Sequence, residues 1–466
     1  MTDSTTLVLF GASGDLAKRL LLPGLGSLLA SGEQRDSALT DGLVLLGSGR
    51  HDREVDEWRD QVREALRDGG AGDDDVERIA SAANWITADP TEADDLRRIL
   101  DEVQGRPILY FALPPAVVES AVDALREVEL PEDTTLALEK PFGSDGDGAA
   151  ALNRKLARLV PEERIHRIDH FLGQPTVLNL LGLRFANRLL EPVWNREQIE
   201  RVEIVYDEEL GLEGRADYYD GAGALVDMLQ SHLLQVLAVV AMEPPAAIDA
   251  IGFRTAVAQV LEATELWSDG PVLPGTDGAS RRARYTAGTV GGKDLPSYAE
   301  EEGVDPERGT ETLAEVAVAV QNRRWAGVPF VLRSGKAIGD PRRQIEVRFR
   351  PVPFVPRGLR GAATPNRVTI GIQPETLSIE LTMNGEDAPF RLDHGAVSAE
   401  LPSGSVTEYG EVLRGILGAD PTLFVRGDVA ERCWRIVEPV LDAWRDGRVP
   451  LDEYPAGSTG PESWRG

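Results

Sequence analysis

The sequence predicts a doubly wound α/β domain followed by an α+β domain built on a large, mainly antiparallel sheet. Three observations carry this expectation. Short apolar runs alternate with helical patterns over the first ~170 residues. A glycine-rich turn joins the first apolar run to the first helical pattern. Beyond residue 200, strand-like runs succeed one another without regular helices between them. At 466 residues the chain exceeds one ordinary core, and the expected division is 1–175 and 176–466.

Taken in order, "TTLVLF" at 5–10 is continuous and apolar, as a strand buried on both faces is. "GASGD" then turns the chain into the helical pattern "LAKRLLLPGLGSLLAS". A second strand is expected at 42–49, "GLVLLGSG", with helices around 53–67 and 75–82. "PILYFAL" at 107–113 is a third strand, ended by Pro114 and Pro115. "AVVESAVDALREV" reads as a helix and "TTLALEKPFG" as a strand plus loop. In the second domain, "RVEIVYDE" at 201–208 alternates like a half-exposed strand, and 223–242 is an apolar helix. "RYTAGTV", "EVAVAVQN", "VPFVLR", "QIEVRFR", "RVTIGIQ" and "LSIELTM" supply the broad sheet, with helices on one side, and 421–446 returns to helix.

Composition narrows the function. A net charge of −29 argues against nucleic-acid or anionic-membrane partners, which need a basic face. Lysine occurs only at 18, 140, 155, 293 and 336, so an anionic ligand must be met by locally gathered cations. Cys433 is the only cysteine, which leaves no internal disulfide and no thiolate metal cluster. The N-terminal "MTDSTTLVLFG" lacks a basic leader, and no run reaches the 18 apolar residues of a membrane span. A cytoplasmic enzyme without a metal is the class expected.

The first glycine loop has the spacing G-x-x-G-x-x-A, which places Gly11, Ser13, Gly14, Asp15 and Leu16 between strand and helix. In a Rossmann-like domain this turn brings a pyrophosphate against backbone N–H groups at a helix N-terminus. At the end of the second strand, Ser48 and Arg50 stand where an NAD site usually has an acidic residue. That favours the 2′-phosphate of NADP, although Asp52 and Glu54 lie close by in sequence. Lys140 follows a strand, at the end where such sheets bind ligands. Asp227 and His232 lie on the apolar helix, about 140° apart for an α-helix. A polar residue on so apolar a helix needs a partner, and "RIDHFLGQ" at 167–174 could deliver a carboxylate, Asp169.

The pieces "GASGDLAKR", "YFALPP", "EKPFG", "RIDHFLG", "LRFANRLLEPVWNR", "EGRADYYD", "DMLQSHLLQ", "VAMEPP", "RRWAGVPFVLRSGKA" and "IQP" run in order along nearly the whole chain. In these the sequence resembles the glucose-6-phosphate dehydrogenase family. The resemblance implies oxidation of C1 of glucose 6-phosphate to 6-phosphoglucono-1,5-lactone with NADP, in the oxidative pentose phosphate pathway. It implies His232 as general base, steered by Asp169, and a sugar site of Lys140, His170, Glu208, Asp227, Lys336 and Gln373, with Lys140 also serving the cofactor. It further implies a homodimer or homotetramer formed through the second domain's sheet.

Three positions depart from the family pattern. Phe171 replaces a tyrosine, and Gln174 and Leu20 replace lysines. A hydroxyl and two cations are therefore missing, and Arg342 and Arg343 are candidate replacements at the phosphate. The alternatives are the same C1 dehydrogenation on another aldose or sugar phosphate, or a weakly active regulatory paralogue.

Overall fold

The computed structural model describes residues 4–385 and 388–464. The chain forms two compact units: Met1–Gln174 with Pro245–Ala258 and Gly404–Arg432, and Pro175–Pro244 with Gln259–Ser403 and Cys433–Gly466.

The first unit holds a six-stranded parallel sheet of order β3-β2-β1-β4-β5-β6. Its strands are β1 (Thr5–Phe10), β2 (Leu43–Gly49), β3 (Asn84–Thr87), β4 (Arg106–Phe111), β5 (Thr135–Glu139) and β6 (Ile165–Ile168). β1, β2, β4 and β5 are the apolar runs expected. Almost every residue of β1 is buried, because helices cover a parallel sheet on both faces. The strand order reverses at β1 and β4, so the crevice at their carboxyl ends is the place for a dinucleotide.

β3 and β6 are additions to the expectation. β6, "IHRI", carries a histidine and an arginine that are both fully buried. His166 stacks on Phe424, with ring centroids 4.2 Å apart and planes at 12°. Arg167 reaches Glu162 at 3.0 and 3.1 Å, and its backbone carbonyl accepts from Val425 N at 2.9 Å. Arg254 completes this cluster, bonding Glu162 at 2.9 Å and the Phe424 carbonyl at 3.1 Å. Arg414 likewise pairs with the buried Asp36 at 2.8 and 2.9 Å. Polar contacts thus fasten the two later segments to this unit.

Burial, with Arg254 nearby, pushes the His166 imidazole down to about 3. The unfolded chain takes up a proton near pH 6.5 while the folded chain does not, so stability is lost as pH falls from 6.5 toward 3. His166→Phe removes that loss. Between pH 7 and 5 the variant is expected to lose about 2 kcal/mol less stability than the wild type in urea titrations.

The second unit contains a ten-stranded sheet of order β17-β16-β15-β14-β7-β13-β12-β9-β18, with β8 also paired to β12. The strands are β7 (Ile199–Asp207), β8 (Thr264–Leu266), β9 (Ser280–Thr286), a separate ribbon β10 (Gly288–Val290) and β11 (Lys293–Leu295), β12 (Leu313–Val320), β13 (Pro329–Gly335), β14 (Arg343–Phe349), β15 (Arg367–Gly371), β16 (Thr376–Asn384), β17 (Leu392–Glu400) and β18 (Leu451–Pro455). Pairing is antiparallel except for β13 with β7 and β18 with β9. β12 and β13 are buried along their whole length and form the middle of the sheet. The outer β17 is mostly exposed and small or polar, so its sequence lacks the apolar alternation of the other strands.

The helical stretch Ala216–Ala241 packs against β12 and β13. It is long and apolar enough to cross a membrane, but 89% of its most apolar window is buried inside the protein, as in a core helix. It is not uniform. Gly223 breaks the first part with φ +65°, and residues Leu225–Leu233 form a π-helix before α-helical geometry resumes.

Candidate active site

In the first unit the expected cofactor residues gather at one edge of the parallel sheet. The chain leaves β1 at Gly11 with φ +77°, and a Cβ there would stand 2.3 Å from the Ala112 carbonyl oxygen. Only glycine fits. Gly11 N and Ala12 N donate to the Ser48 carbonyl at 3.0 and 3.2 Å, which ties the loop to the end of β2. Gly14 N donates to Gly11 O at 2.9 Å, and Lys18 N to Gly14 O at 3.2 Å as the helix begins. Ser13, Gly14 and Asp15 are exposed at this helix start, with Leu16 half-buried behind them. A close-approach glycine at the head of a helix fits a pyrophosphate.

Ser48 is 1% exposed, so its part is in the scaffold of the loop, through its carbonyl. Arg50 is exposed at the strand end. The structure adds a second cation here. The Arg53 guanidinium lies 5.8 and 5.5 Å from the ring centroids of Trp58 and Trp85. It donates to Gln61 Oε1 at 2.7 Å, and Gln61 Nε2 donates to the Ala12 carbonyl at 3.1 Å. The only sequence signal for this residue was a second arginine three positions after Arg50. Exposed Arg50, the braced Arg53 and the glycine loop fit a dinucleotide bearing a 2′-phosphate.

Lys140 follows β5, joined to Pro141 by a cis peptide. Glu139, just before it, accepts a hydrogen bond from the Tyr110 hydroxyl and another from Tyr409. Burial pushes the Glu139 carboxyl up to about 7, against the pull of the tyrosine hydroxyls and of Lys140. Asp169 is 1% exposed and its Oδ1 accepts from Phe171 N at 3.1 Å. It caps a single 3₁₀ turn, His170–Gly173. The His170 ring leaves in that turn and stacks on Tyr409, centroids 5.5 Å apart. Gln174 is 7% exposed and its Oε1 has no hydrogen-bond partner among the described residues. Phe171 is buried, and Leu20, on the helix after the glycine loop, is 47% exposed.

In the second unit Glu208, Lys336, Arg343 and Gln373 lie at one edge of the large sheet, where β7 and the parallel β13 end and β14 begins. Lys336 is 3% exposed and its Nζ lies 2.5 Å from Glu208 Oε2 and 5.0 Å from the Tyr219 ring centroid. Arg343 donates to Gln373 Oε1 at 2.5 Å and to the Asp207 carbonyl at 3.2 Å, over the Tyr206 ring. Arg342, its neighbour, faces Glu203 at 4.0 Å. Arg342 lies just before β14, and Arg343, its first residue, is the one that joins Gln373.

Asp227 and His232 both fall in the π-helical stretch Leu225–Leu233. Its i→i+5 bonding brings residues five apart onto nearly one face, which replaces the 140° separation expected for an α-helix. His232 is 2% exposed and Asp227 is half-buried, within 3.5 Å of the Tyr218 hydroxyl. Asp169 and His232 are held by different units, each by its own local structure.

Residues 8–179 match the family model described as "Glucose-6-phosphate dehydrogenase, NAD binding domain", and residues 181–465 match "Glucose-6-phosphate dehydrogenase, C-terminal domain". The chain is 38% identical to the glucose-6-phosphate 1-dehydrogenase of Gluconobacter oxydans, covering 98% of this chain and 94% of the relative. It is 37% identical to that of Mycolicibacterium smegmatis over the same shares. Among solved structures it resembles the Mycobacterium avium glucose-6-phosphate 1-dehydrogenase, with TM-score 0.83, 32% identity, and 99% and 96% of the two chains covered. It also resembles a glucose-6-phosphate dehydrogenase in complex with its substrate glucose 6-phosphate, with TM-score 0.85 and 29% identity over the same shares.

Proposed function

The chain belongs to the glucose-6-phosphate dehydrogenase family, and we propose that His232 is its general base and Asp169 the carboxylate that orients it. The reaction is the oxidation of C1 of glucose 6-phosphate to 6-phosphoglucono-1,5-lactone with NADP, a step of the pentose phosphate pathway. NADP, when bound, supplies the hydride acceptor. The C1-hydroxyl proton passes to the His232 imidazole, C1 gives up its hydride, and the C1–O bond becomes the lactone carbonyl. One observation carries this reading. A buried imidazole shares a helical face with Asp227, on a helix packed against the strand that leads into Lys336.

The other roles follow from chemistry. Glu208 and Asp227 accept sugar hydroxyls, and Lys336 holds Glu208 in place while offering its own donors. His170, Gln174, Lys140, Arg343 and Gln373 meet the phosphate and ring oxygens, Arg343 supplying charge where Gln174 and Leu20 supply none. Gly11, Ser13, Gly14, Asp15 and Leu16 bind the pyrophosphate, and Arg50 the 2′-phosphate.

The reading extends to a cytoplasmic, self-associating enzyme. β16 and β17 offer one apolar sheet face, with Leu381, Met383 and Val397 at 37%, 50% and 62% exposure, for a homodimer or homotetramer.

Steady-state kinetics of NADP and NAD against glucose 6-phosphate and glucose test the assignment. The expected result is a kcat/KM for glucose 6-phosphate with NADP at least about tenfold above every other pairing, the worth of one charge-assisted contact. Equal values for glucose and glucose 6-phosphate would refute recognition of the phosphate.

A further inference from the structure

We propose that Glu311 is a positioning residue for this reaction: its carboxylate fixes the register of the helical turn that carries Asp227 and His232. The proposal rests on the reading of His232 as the base.

Glu311 lies just before β12 and is 6% exposed. Its Oε1 accepts from Leu225 N at 2.9 Å, and its backbone carbonyl accepts from Ala224 N at 3.2 Å. Two consecutive N–H groups at the head of the π-helical stretch therefore end on one residue. Such groups have no partner inside a helix and must find one outside it. The chain has left room for this. Gly223 sits at φ +65°, and a Cβ there would stand 2.4 Å from Glu311 Oε1.

The next residue ties the same point to the sugar site. Thr312 Oγ1 lies 2.9 Å from the Tyr454 hydroxyl, which donates to the Lys336 carbonyl at 2.7 Å. Lys336 N in turn donates to Thr312 O at 2.8 Å. Residue 311 sets the head of the base-bearing helix, and residue 312 sets the backbone of the lysine that holds Glu208. Base and sugar-site lysine share one anchor.

Arg282 of β9 is the charge that acts on Glu311, and the Glu311 carboxylate in turn pushes up the hydroxyls of Tyr219, on the preceding helix, and Tyr298. Burial pushes its carboxyl up to about 7, while the Leu225 N–H and Arg282 favour the charged form.

A π-helical stretch is less favourable than an α-helix and persists where its surroundings hold it. Freed from Glu311, Leu225–Leu233 relaxes toward i→i+4 bonding, which swings His232 away from the face of Asp227.

The test uses Glu311→Ala, Glu311→Asp and Glu311→Gln in the full-length enzyme. Gln keeps an acceptor at the same reach; Asp keeps the charge but falls one methylene short. The Ala and Asp variants are expected to lose about 10- to 100-fold in kcat, the effect of one unsatisfied buried donor, while the KM for NADP holds. The Gln variant is expected to keep most of the activity. With 13C-labelled histidine, the His232 ring signal, assigned through His232→Asn, is expected to move in the Ala and Asp variants and to stay in the Gln variant. If the Ala variant does not fold, the Asp–Gln pair carries the comparison. Wild-type kcat in both the Ala and Asp variants, or equal loss in all variants with an unmoved His232 signal, overturns the proposal. The ring signal reports position whatever the base is, whereas full turnover by His232→Asn would refute only the base.

Discussion

Replacing His232 with Asn is expected to lower kcat by about 10²–10⁴-fold, the usual contribution of a positioned general base. Asparagine is smaller and keeps hydrogen-bonding capacity in a place that is 2% exposed, so the fold is expected to survive. It has no basic nitrogen to receive the C1 proton. NADPH formation followed by absorbance gives kcat, and tryptophan fluorescence quenching gives the affinity for NADP, which should not change. The decisive result is a loss in kcat alone. A variant still turning over at the wild-type rate would leave His232 with a packing role only.

Lys336→Met is expected to have the second largest effect, on binding and on stability together. The ammonium is 3% exposed and lies 2.5 Å from Glu208. Methionine matches its length and removes its charge, which leaves the Glu208 carboxylate in a largely covered site without its partner. A charge-assisted contact to substrate is worth ~1.5–3 kcal/mol, so the KM for glucose 6-phosphate should rise about 10- to 100-fold. The melting temperature should also fall, because one member of a pair has been stranded. Glu208→Leu added to Lys336→Met removes the stranded charge. The double variant is expected to recover part of the melting temperature and none of the activity. If both single and double variants melt like the wild type, the pair adds nothing to stability.

The parallel sheet was legible wherever a strand was apolar throughout, as in β1, β2, β4 and β5. β6 was hidden because His166 and Arg167, buried against Phe424 and Glu162, look like surface residues in a linear sequence. The same limit applied to the site. Motifs pointed to Lys140, Asp169 and His232, since their neighbours in sequence define them. Glu139 and Glu311 were missed because their partners, Tyr110 and Tyr409 for the one and Leu225 for the other, are distant in sequence, and Arg53 because its brace joins nearby Trp58 and Gln61 to the distant Trp85. Register was the other blind spot. Asp227 and His232 are five residues apart, and whether that means opposing or shared faces depends on a π-helical stretch that composition does not announce. The choice between Arg342 and Arg343 likewise waited on the partner each side chain finds, Glu203 for the one and Gln373 for the other.

Arg167, Arg254 and Glu162 bring residues 245–258 and 404–432 into the nucleotide-binding unit. A ribosome must therefore release residue 432 before that unit can close. Until then His166 has no Phe424 to stack on, and Asp36 has no Arg414. The nascent amino-terminal half therefore emerges with its core unfinished, since Val406, Tyr409, Leu413 and Phe424 belong to that core. A gene truncated anywhere before residue 432, within the last tenth of its length, is accordingly expected to yield no complete nucleotide-binding unit.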